Sequence, residues 1–307
     1  MGGGRWDPTD WDGYKTTRGY SSKSTAAIFT SSSMDKDLNP HGVKQRESRD
    51  SKDNPVSNAV ILAIDVTGSM GMIADTMVRT GLNTLCTQIY DRKPVSDPHI
   101  MCMGIGDVEA GDDAPLQITQ FEADIRIGKQ LEKIFLEHGG GGNSHESYHL
   151  PWYFAAMHTG IDCFEKRGKK GYLFTVGDEQ PPHKLLADEI NRVMGTKPQN
   201  DYTAQQLLTM ASRMFEVYHI MVEEGSHFSG HGKQVVKEWT DLLGQRAIRL
   251  SDHTKLAEVI VSAIQVNEGT DVATVSKSWD GQTSLVVSKA IKDLKKGSKG
   301  SSAVVRF

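Results

Sequence analysis

The sequence has few cysteines, no long apolar run and little excess charge of either sign, and each shortage excludes a class of protein. Three cysteines among 307 residues, Cys86, Cys102 and Cys163, cannot build a disulfide framework, so we expect a reducing compartment. Even the strongly apolar run Ala59 to Ile64 is far shorter than the roughly 20 residues needed to cross a bilayer. Lys and Arg total 35 against 39 Asp and Glu, a balance that argues against binding to nucleic acid or anionic membranes. These features predict a cytoplasmic protein with no nucleic-acid partner and no membrane partner.

The first 57 residues differ in composition from the rest of the chain. They contain 13 apolar residues, too few to bury the surface that would offset their own ordering entropy. We therefore expect residues 1–57 to form a low-complexity N-terminal arm that is either disordered or draped over the main body. Candidate anchors for the arm are its aromatic residues Trp6, Trp11, Tyr14 and Tyr20.

Residues 58–266 alternate short apolar runs with helical periodicity. The run Ala59 to Ile64 is continuous, which is typical of a parallel strand covered on both faces. Leu116 to Thr119 alternates apolar and polar residues instead, as in a half-exposed edge strand. Strands interleaved with helices predict an α/β domain with a doubly wound, mostly parallel sheet flanked by helices and one antiparallel edge strand. Further continuous runs are Ile100 to Ile105, Tyr172 to Val176, Val217 to Val222 and Ala247 to Leu250.

Apolar residues at spacings of three and four predict helices between the strands and in the tail. The predicted helices include Ile125 to Leu136, Pro151 to Lys166, His183 to Val193, Ala204 to Phe215, Gly232 to Leu243 and Thr254 to Val266. In the C-terminal tail, residues 267–307, a short apolar stripe lies beside four lysines and predicts an amphipathic helix that packs on the domain. A tail that binds a partner or an acidic surface is the alternative. The stripe consists of Val287, Ala290, Ile291 and Leu294, and the lysines are Lys289, Lys292, Lys295 and Lys296.

Polar residues follow two of the predicted strands. Asp65, Thr67 and Ser69 alternate in a tight turn after the first strand and can point at one centre. Hard oxygen donors of this kind suit Mg²⁺ or Mn²⁺, although Thr67 or Ser69 could instead cap the following helix. Asp178 follows the strand Tyr172 to Val176, whose end lies beside that of the first strand in this topology. Asp178 can therefore supply a second carboxylate, with a solvated turn acid or a helix cap as the alternative.

With these two motifs, the chain resembles a von Willebrand factor type A (VWA) domain that carries a metal-ion-dependent adhesion site. Asp65, Thr67 and Ser69 match the family's D-x-[ST]-x-S signature, and Asp178 matches its distal aspartate after the fourth strand. The resemblance covers about residues 58–266. It implies a Rossmann-like sheet that binds a divalent cation at its upper edge and leaves a coordination position for an acidic residue of a protein partner.

The second loop of the site departs from the usual family pattern. Where the family offers a threonine, this chain has Gly139 to Gly142 followed by Asn143, Ser144 and Glu146. The loop resembles that of a bacterial and protist subgroup, in which a polar residue and a glutamate follow a glycine run and an aspartate precedes a Pro-Pro-His turn. Asn143 or Ser144 is then the expected ligand, and Glu146 is expected to bind the ion directly or to hold one of its ligands.

The same loop contains HExxH, the zinc-protease signature, from His145 to His149. That chemistry needs both histidines on an ordered helix with Glu146 as the general base, but four glycines precede the motif and Pro151 follows it. We therefore expect a loop and a first helical turn, and a zinc-dependent hydrolase is the alternative. Four acidic residues follow the second predicted strand, and we expect them to lie in a solvated loop. The alternatives are that they rim the metal site or bind Ca²⁺. These residues are Asp107, Glu109, Asp112 and Asp113.

No nucleophile in the sequence is paired with a convincing base, and no phosphate-binding loop, CxxC pair or Gly-x-Ser-x-Gly elbow occurs, so an enzyme is not expected. The sequence predicts a metal-dependent protein-interaction module, an adaptor or assembly factor, in which Mg²⁺ or Mn²⁺ binds an Asp or Glu of a partner. Because bacterial VWA proteins often serve AAA+ ATPases, such a system is a candidate partner by analogy. A scaffold with a vestigial metal site is a further alternative.

Overall fold

The structure is a computed structural model that describes residues 4–137 and 142–297, except for the side chain of Ser69. The predictions for residues 139–141, for the Ser69 ligand and for the tail beyond residue 297 therefore lie outside the described residues.

The strands are β1 Arg46–Ser48, β2 Asn58–Asp65, β3 Pro98–Ile105, β4 Leu116–Ile118, β5 Thr159–Ile161, β6 Gly171–Gly177, β7 Lys184–Leu185, β8 Tyr202–Thr203, β9 Phe215–Val222 and β10 Ala247–Leu250. The α-helices are α1 Pro8–Arg18, α2 Thr25–Ile28, α3 Gly71–Thr76, α4 Leu82–Arg92, α5 Arg126–Leu131, α6 His149–Met157, α7 Asp162–Glu165, α8 Ala187–Met194, α9 Ala204–Ala211, α10 Ser226–Leu243, α11 Leu256–Asn267, α12 Val272–Lys277 and α13 Gly281–Ile291. Short 3-10 turns lie at Gly68–Met70, Gly244–Arg246 and His253–Lys255, and a π-helical turn joins α3 to α4 at Met77–Gly81.

Six strands form the central sheet in the order β10-β9-β6-β2-β3-β4. The neighbouring pairs are parallel except for β3 and β4. The chain passes from β2 to β3 on one side and later to β6 on the other, so the carboxyl ends of β2 and β6 flank the switch point where such sheets bind ligands. The predicted fold class, a doubly wound and mostly parallel α/β sheet with an antiparallel edge strand, is confirmed.

Alternate residues of β2 enter two separate apolar cores. Val60 and Leu62 belong to the first core, with residues of α3, α4 and α11, whereas Ala59 and Ile61 belong to the second, with residues of α6, α9 and α10. All eight residues of β2 are consequently buried, as a strand covered on both faces requires. This double cover fixes the position of Asp65, the last residue of the strand.

The edge strand β4 is more buried than its sequence predicts. The alternation in Leu116 to Thr119 indicates a half-exposed strand, yet all three residues of β4 are buried. The amide of Ile118 donates to the carbonyl of Leu38 at 2.8 Å, so the N-terminal arm pairs with this edge of the sheet. Cover from a distant segment is not visible in the local pattern of the strand.

The described part of the arm, residues 4–57, packs on the domain. Trp6, Trp11 and Tyr20 are each at most 5% exposed and belong to the first core. The hydroxyl of Tyr20 also donates to the carboxylate of Glu132, which follows α5. The arm thus buries its aromatic residues against the domain, which a chain with so few apolar residues could not do by itself.

The predicted helix Ile125 to Leu136 is shorter in the structure, where α5 ends at Leu131. The side-chain amide of Gln117 donates to the carbonyl of Phe135 and accepts from its backbone amide, each at 2.8 Å. These side-chain bonds take the place of helical backbone bonds at residue 135. The helical periodicity therefore extends beyond the helix itself.

The predicted helix Pro151 to Lys166 is divided into α6, β5 and α7. Strand β5 pairs in parallel with β1 of the arm, and the amide of Arg46 donates to the carbonyl of His158 at 2.8 Å. The long-range pairing overrides the local helical pattern between Met157 and Asp162.

Helix α13 carries the predicted apolar stripe of the tail. Val287 and Ile291 are fully buried in the first core, while Lys289 forms a salt bridge with Glu223 at 2.7 Å. No described helix combines the length and the apolar character needed to span a membrane.

Candidate metal centre

Asp65 and Thr67 form a hydrogen-bonded turn at the carboxyl end of β2. The Asp65 carboxylate is fully buried, and its Oδ1 accepts from the amide of Thr67 at 2.9 Å and from the Thr67 hydroxyl at 2.7 Å. Thr67 precedes the 3-10 turn without capping it through its side chain. Its hydroxyl is therefore directed at the carboxylates of the strand end, as a ligand would be.

Glu146 joins this pair from the second loop. Its Oε1 lies 3.0 Å from the Thr67 hydroxyl, which has only one proton and already donates to Asp65. Burial and the neighbouring Asp65 carboxylate raise the pKa of Glu146 to about 10, which favours the protonated carboxyl near neutral pH. Its second oxygen, Oε2, is buried with no hydrogen-bond partner among the described residues. A buried acid with an unused oxygen is unusual unless a cation or water binds there.

Asp178 lies at the end of β6 and is bound to the start of α10. Its Oδ2 accepts from the amides of His227, at 2.8 Å, and Phe228, at 3.3 Å, which is the helix-capping interaction weighed in the sequence. This cap explains why α10 begins at Ser226 rather than at Gly232. His227 and His231, which precede the predicted start of the helix, are consequently helical and stack with ring centroids 4.5 Å apart.

Several acidic groups lie at the carboxyl ends of the strands, and among the described residues they have no Lys or Arg partner. In the described ranges, neither Lys nor Arg forms a salt bridge with Asp65, Asp107, Glu146, Asp178 or Glu179, and only His227 approaches Glu179, at 3.7 Å. Burial and the Asp178 charge raise the pKa of Asp65 to about 7, and burial and the Asp65 charge raise that of Glu179 to about 8. Such mutual repulsion is relieved when a divalent cation binds.

The two loop candidates, Asn143 and Ser144, form hydrogen bonds with residues other than Asp65 and Thr67. The side-chain amide of Asn143 donates to Oδ2 of Asp107 at 2.5 Å. The backbone carbonyl of Ser144 accepts from the amide of Gln180 at 3.1 Å. The loop is thus tied to the turns after β3 and β6, and Glu146 is the loop residue that contacts the Thr67 side chain.

The carboxylates of Asp65, Glu146 and Asp178 do not converge to within 4.8 Å as a triad. In the part of the chain that the structure describes, the triad at that separation is Glu224, Asp252 and His253. These three groups already serve as caps, because Glu224 accepts from the His253 amide and ring while Asp252 accepts from the Thr254 amide. The predicted centre therefore requires side-chain movement before a cation could bind all three acids.

Tyr148 was missed as a site residue in the sequence, whereas Asp107 was predicted to be solvated or else to rim the metal site. The hydroxyl of Tyr148 donates to Oδ2 of Asp65 at 3.1 Å. Asp107 is fully buried, not solvated, and its Oδ1 accepts from the amide of Glu109 at 2.8 Å. No local pattern in the sequence marks Tyr148, because its bond to Asp65 joins residues that are 83 positions apart.

The HExxH segment does not form the arrangement that zinc proteases use. Helix α6 begins at His149, so His145 lies outside it. The Nε2 atom of His145 lies 3.0 Å from Oε2 of Glu109, and that of His149 lies 3.0 Å from the carbonyl of Lys184. The two imidazoles are thus bound to different segments instead of facing one ion.

Comparison with known proteins identifies only distant similarity. No protein-family model matches the chain, and no curated protein sequence matches it. The pilus adhesin SpaC from Lactobacillus rhamnosus GG, in its open conformation, is similar with a TM-score of 0.47 and 12% identity, over 72% of this chain and 31% of the adhesin. A von Willebrand factor type A structure from Catenulispora acidiphila gives a TM-score of 0.36 and 15% identity, over 70% of this chain and 44% of that chain. This chain thus spans less than half the length of either protein, and the fold assignment rests on its own strand order.

Proposed function

We propose that the loops at the carboxyl ends of β2 and β6 bind Mg²⁺ or Mn²⁺ and that the bound ion mediates protein recognition. The observation that carries this proposal is the buried group of Asp65, Glu146 and Asp178, which has no cationic side chain as a partner in the described ranges. The donors are carboxylates and a hydroxyl, which are the ligands that these hard cations prefer.

Each residue has a defined task in this proposal. Asp65 and Thr67 supply oxygens from the β2 turn, with Ser69 as the third residue of the motif. Asp178 is oriented by the amides at the start of α10. Glu146 contributes an oxygen once it loses the proton that it holds in the metal-free site, since a metal ligand must be deprotonated. Asn143 and Ser144 stay predicted ligands, whose side chains would have to turn toward the ion.

A bound divalent cation would supply positive charge and a coordination position that an Asp or Glu of a partner can occupy. We propose on this basis an adaptor or assembly factor, and the resemblance of Asp65, Thr67 and Asp178 to the adhesion-site motif supports it. An AAA+ ATPase system is the proposed kind of partner. A zinc hydrolase receives no support from the positions of His145 and His149.

Metal binding is tested by calorimetric titration of the full chain with Mn²⁺. We expect one ion to bind, and we expect Asp65→Asn to weaken binding at least about tenfold because a ligand is lost. The matched control is Asp53→Asn, an exposed acid away from the site, which should bind like the wild type. Absence of Mn²⁺ binding by the wild type would overturn the proposal.

Recognition is tested by affinity isolation of binding proteins with the full chain, first with Mg²⁺ and then with EDTA. Partners that bind through the ion should be lost with EDTA and with Asp65→Ala. Retention of all partners by Asp65→Ala would indicate a scaffold with a vestigial metal site.

A further inference from the structure

Tyr148 contacts the proposed metal centre through Asp65. Its side chain is fully buried, and its hydroxyl donates to Oδ2 of Asp65 at 3.1 Å. The other oxygen, Oδ1, is bound by the amide and the hydroxyl of Thr67. Three donors from two segments therefore fix both oxygens of one carboxylate.

The position of the Tyr148 ring is itself rigidly determined. The ring packs edge-on against His219, with centroids 4.9 Å apart, and against Trp239 at 5.6 Å. The rings of His219 and Trp239 stack at 3.5 Å. On the opposite side, a Cβ at Gly177 would lie 2.0 Å from the Tyr148 hydroxyl, so only glycine leaves room for it. This support leaves the hydroxyl little freedom to move away from Asp65.

Glu146 and Tyr148, on either side of Ser147, both contact the β2 turn, whereas the side chain of Ser147 contacts a different segment. Glu146 bonds to Thr67 and Tyr148 bonds to Asp65, while the hydroxyl of Ser147 accepts from the amide of Val108 at 2.8 Å. The segment that resembles a zinc signature thus delivers a carboxyl group and a phenol to the β2 turn.

We propose that Tyr148 is a positioning residue of the metal centre, whose hydroxyl holds the Asp65 carboxylate in the orientation from which it binds the cation. This inference rests on the proposed metal-binding function. A tyrosine hydroxyl suits the task because it donates a hydrogen bond without bringing a positive charge that would repel the ion. Removing it leaves Asp65 free to turn, at a cost in affinity typical of groups that orient metal ligands.

The experiment compares Mn²⁺ affinity in the full-length wild type, Tyr148→Phe and Tyr153→Phe, with free Mn²⁺ measured by electron paramagnetic resonance. Tyr153 is the matched control because it is also a buried tyrosine of the same segment, on α6, and has no contact with Asp65 among the bonds of the described residues. We expect Tyr148→Phe to weaken binding about tenfold and to change the spectrum of the bound ion, and Tyr153→Phe to bind within about twofold of the wild type.

A double-mutant cycle separates positioning from a general structural role. If Tyr148 acts through Asp65, Tyr148→Phe should weaken Mn²⁺ binding much less in the Asp65→Asn background than in the wild type. Equal losses in both backgrounds, or unchanged affinity in Tyr148→Phe when the wild type binds Mn²⁺, would overturn the positioning role alone. A wild type that binds no Mn²⁺ would overturn the proposed function, and the positioning role with it.

A second variant keeps the test decisive if Tyr148→Phe fails to fold. Gly177→Ala retains the phenol but displaces it, because the new Cβ would occupy the position of the hydroxyl. It should weaken Mn²⁺ binding in the same direction, and unchanged affinity would again count against the positioning role.

Discussion

The acidic side chains at the two ends of the central sheet differ in their partners. At the amino ends of the strands, Asp50 pairs with Arg167 at 2.7 Å and Glu216 pairs with Arg246. At the carboxyl ends, Asp65 and Glu146 have hydroxyl partners but no basic side chain within the described residues. One fold can therefore supply internal counter-charges, and among the described residues it supplies none to the acids at the carboxyl ends.

The pKa shifts follow the same division. Burial acts to raise the pKa of Asp50, but hydrogen bonds from Arg167 and Ser57 outweigh it and lower the pKa. Burial raises the pKa of Asp65, the Asp178 charge raises it further, and the hydrogen bonds from Thr67 and Tyr148 do not outweigh them. At the amino ends the acids are paired with basic side chains. At the carboxyl ends the acids have raised pKa values, which is typical of binding sites.

The largest expected effect on stability comes from removing the Asp50 charge at the amino ends of the strands. Asp50→Asn removes the charge that Arg167 and Lys166 bind, so it should lower the free energy of unfolding by about 2 kcal/mol. Urea denaturation with Mg²⁺ and with EDTA should give the same loss, because this end takes no cation. A loss confined to Mg²⁺ buffer would contradict the division between the two ends.

The pH dependence of stability should report on the acids at the carboxyl ends of the strands. The native pKa values of Asp65, Glu179 and Glu146, about 7, 8 and 10, lie above ordinary values of 3.8, 4.5 and 4.5. The native state then binds more protons than the unfolded state, so the metal-free protein should lose stability as pH rises through this window. Thermal unfolding in EDTA should give a lower Tm at pH 9 than at pH 6.

Mg²⁺ should oppose this loss of stability, because it binds the deprotonated acids of the native state. Its stabilising effect on Tm should therefore be larger at pH 9 than at pH 6. A metal-free Tm that rises over the same range would show that the acids are not buried as described.

A smaller effect is expected from Glu146→Gln in metal-free buffer. The protonated carboxyl of Glu146 and the amide of Gln have nearly the same shape and both can donate to Thr67, so the free energy of unfolding should change by less than about 1 kcal/mol. The rise in Tm on adding Mg²⁺ should nevertheless shrink, because a ligand is lost. A variant that is strongly destabilised in EDTA would instead identify Glu146 as a packing residue.

The smallest effect is expected from His145→Ala. Its imidazole contacts Glu109 at the rim and not the Asp65 carboxylate, so Mn²⁺ affinity should stay within about twofold of the wild type. Elemental analysis of the purified variant should show no loss of zinc relative to the wild type. Stoichiometric zinc that disappears with this substitution would revive the hydrolase alternative.

Local sequence signals were sufficient to place Asp65 and Asp178 at the ends of buried strands. The apolar run of β2 located Asp65, and the alternation of polar residues located Thr67. The same logic placed Asp178 after β6. The fold class was predictable because the strands and helices alternate along the chain.

Long-range contacts explain what the sequence could not predict. Asn143 bonds to Asp107, which lies 36 residues earlier, and Tyr148 bonds to Asp65, which lies 83 residues earlier. Helix bounds failed for the same reason at α5 and α6, where Gln117 and the arm strand β1 compete for the backbone. Propensity reports only neighbours along the chain, and tertiary contacts decided these positions.

The hydrogen bond from Ile118 to the Leu38 carbonyl has a practical consequence for anyone who trims the chain. A shortened protein that starts at residue 58 would contain the whole central sheet, yet it would present β4 as an uncovered edge and would also expose the apolar surface that Trp11 now covers. Uncovered edges of this kind recruit strands from other molecules. Such a fragment should self-associate, and the smallest well-behaved expression unit must include the arm.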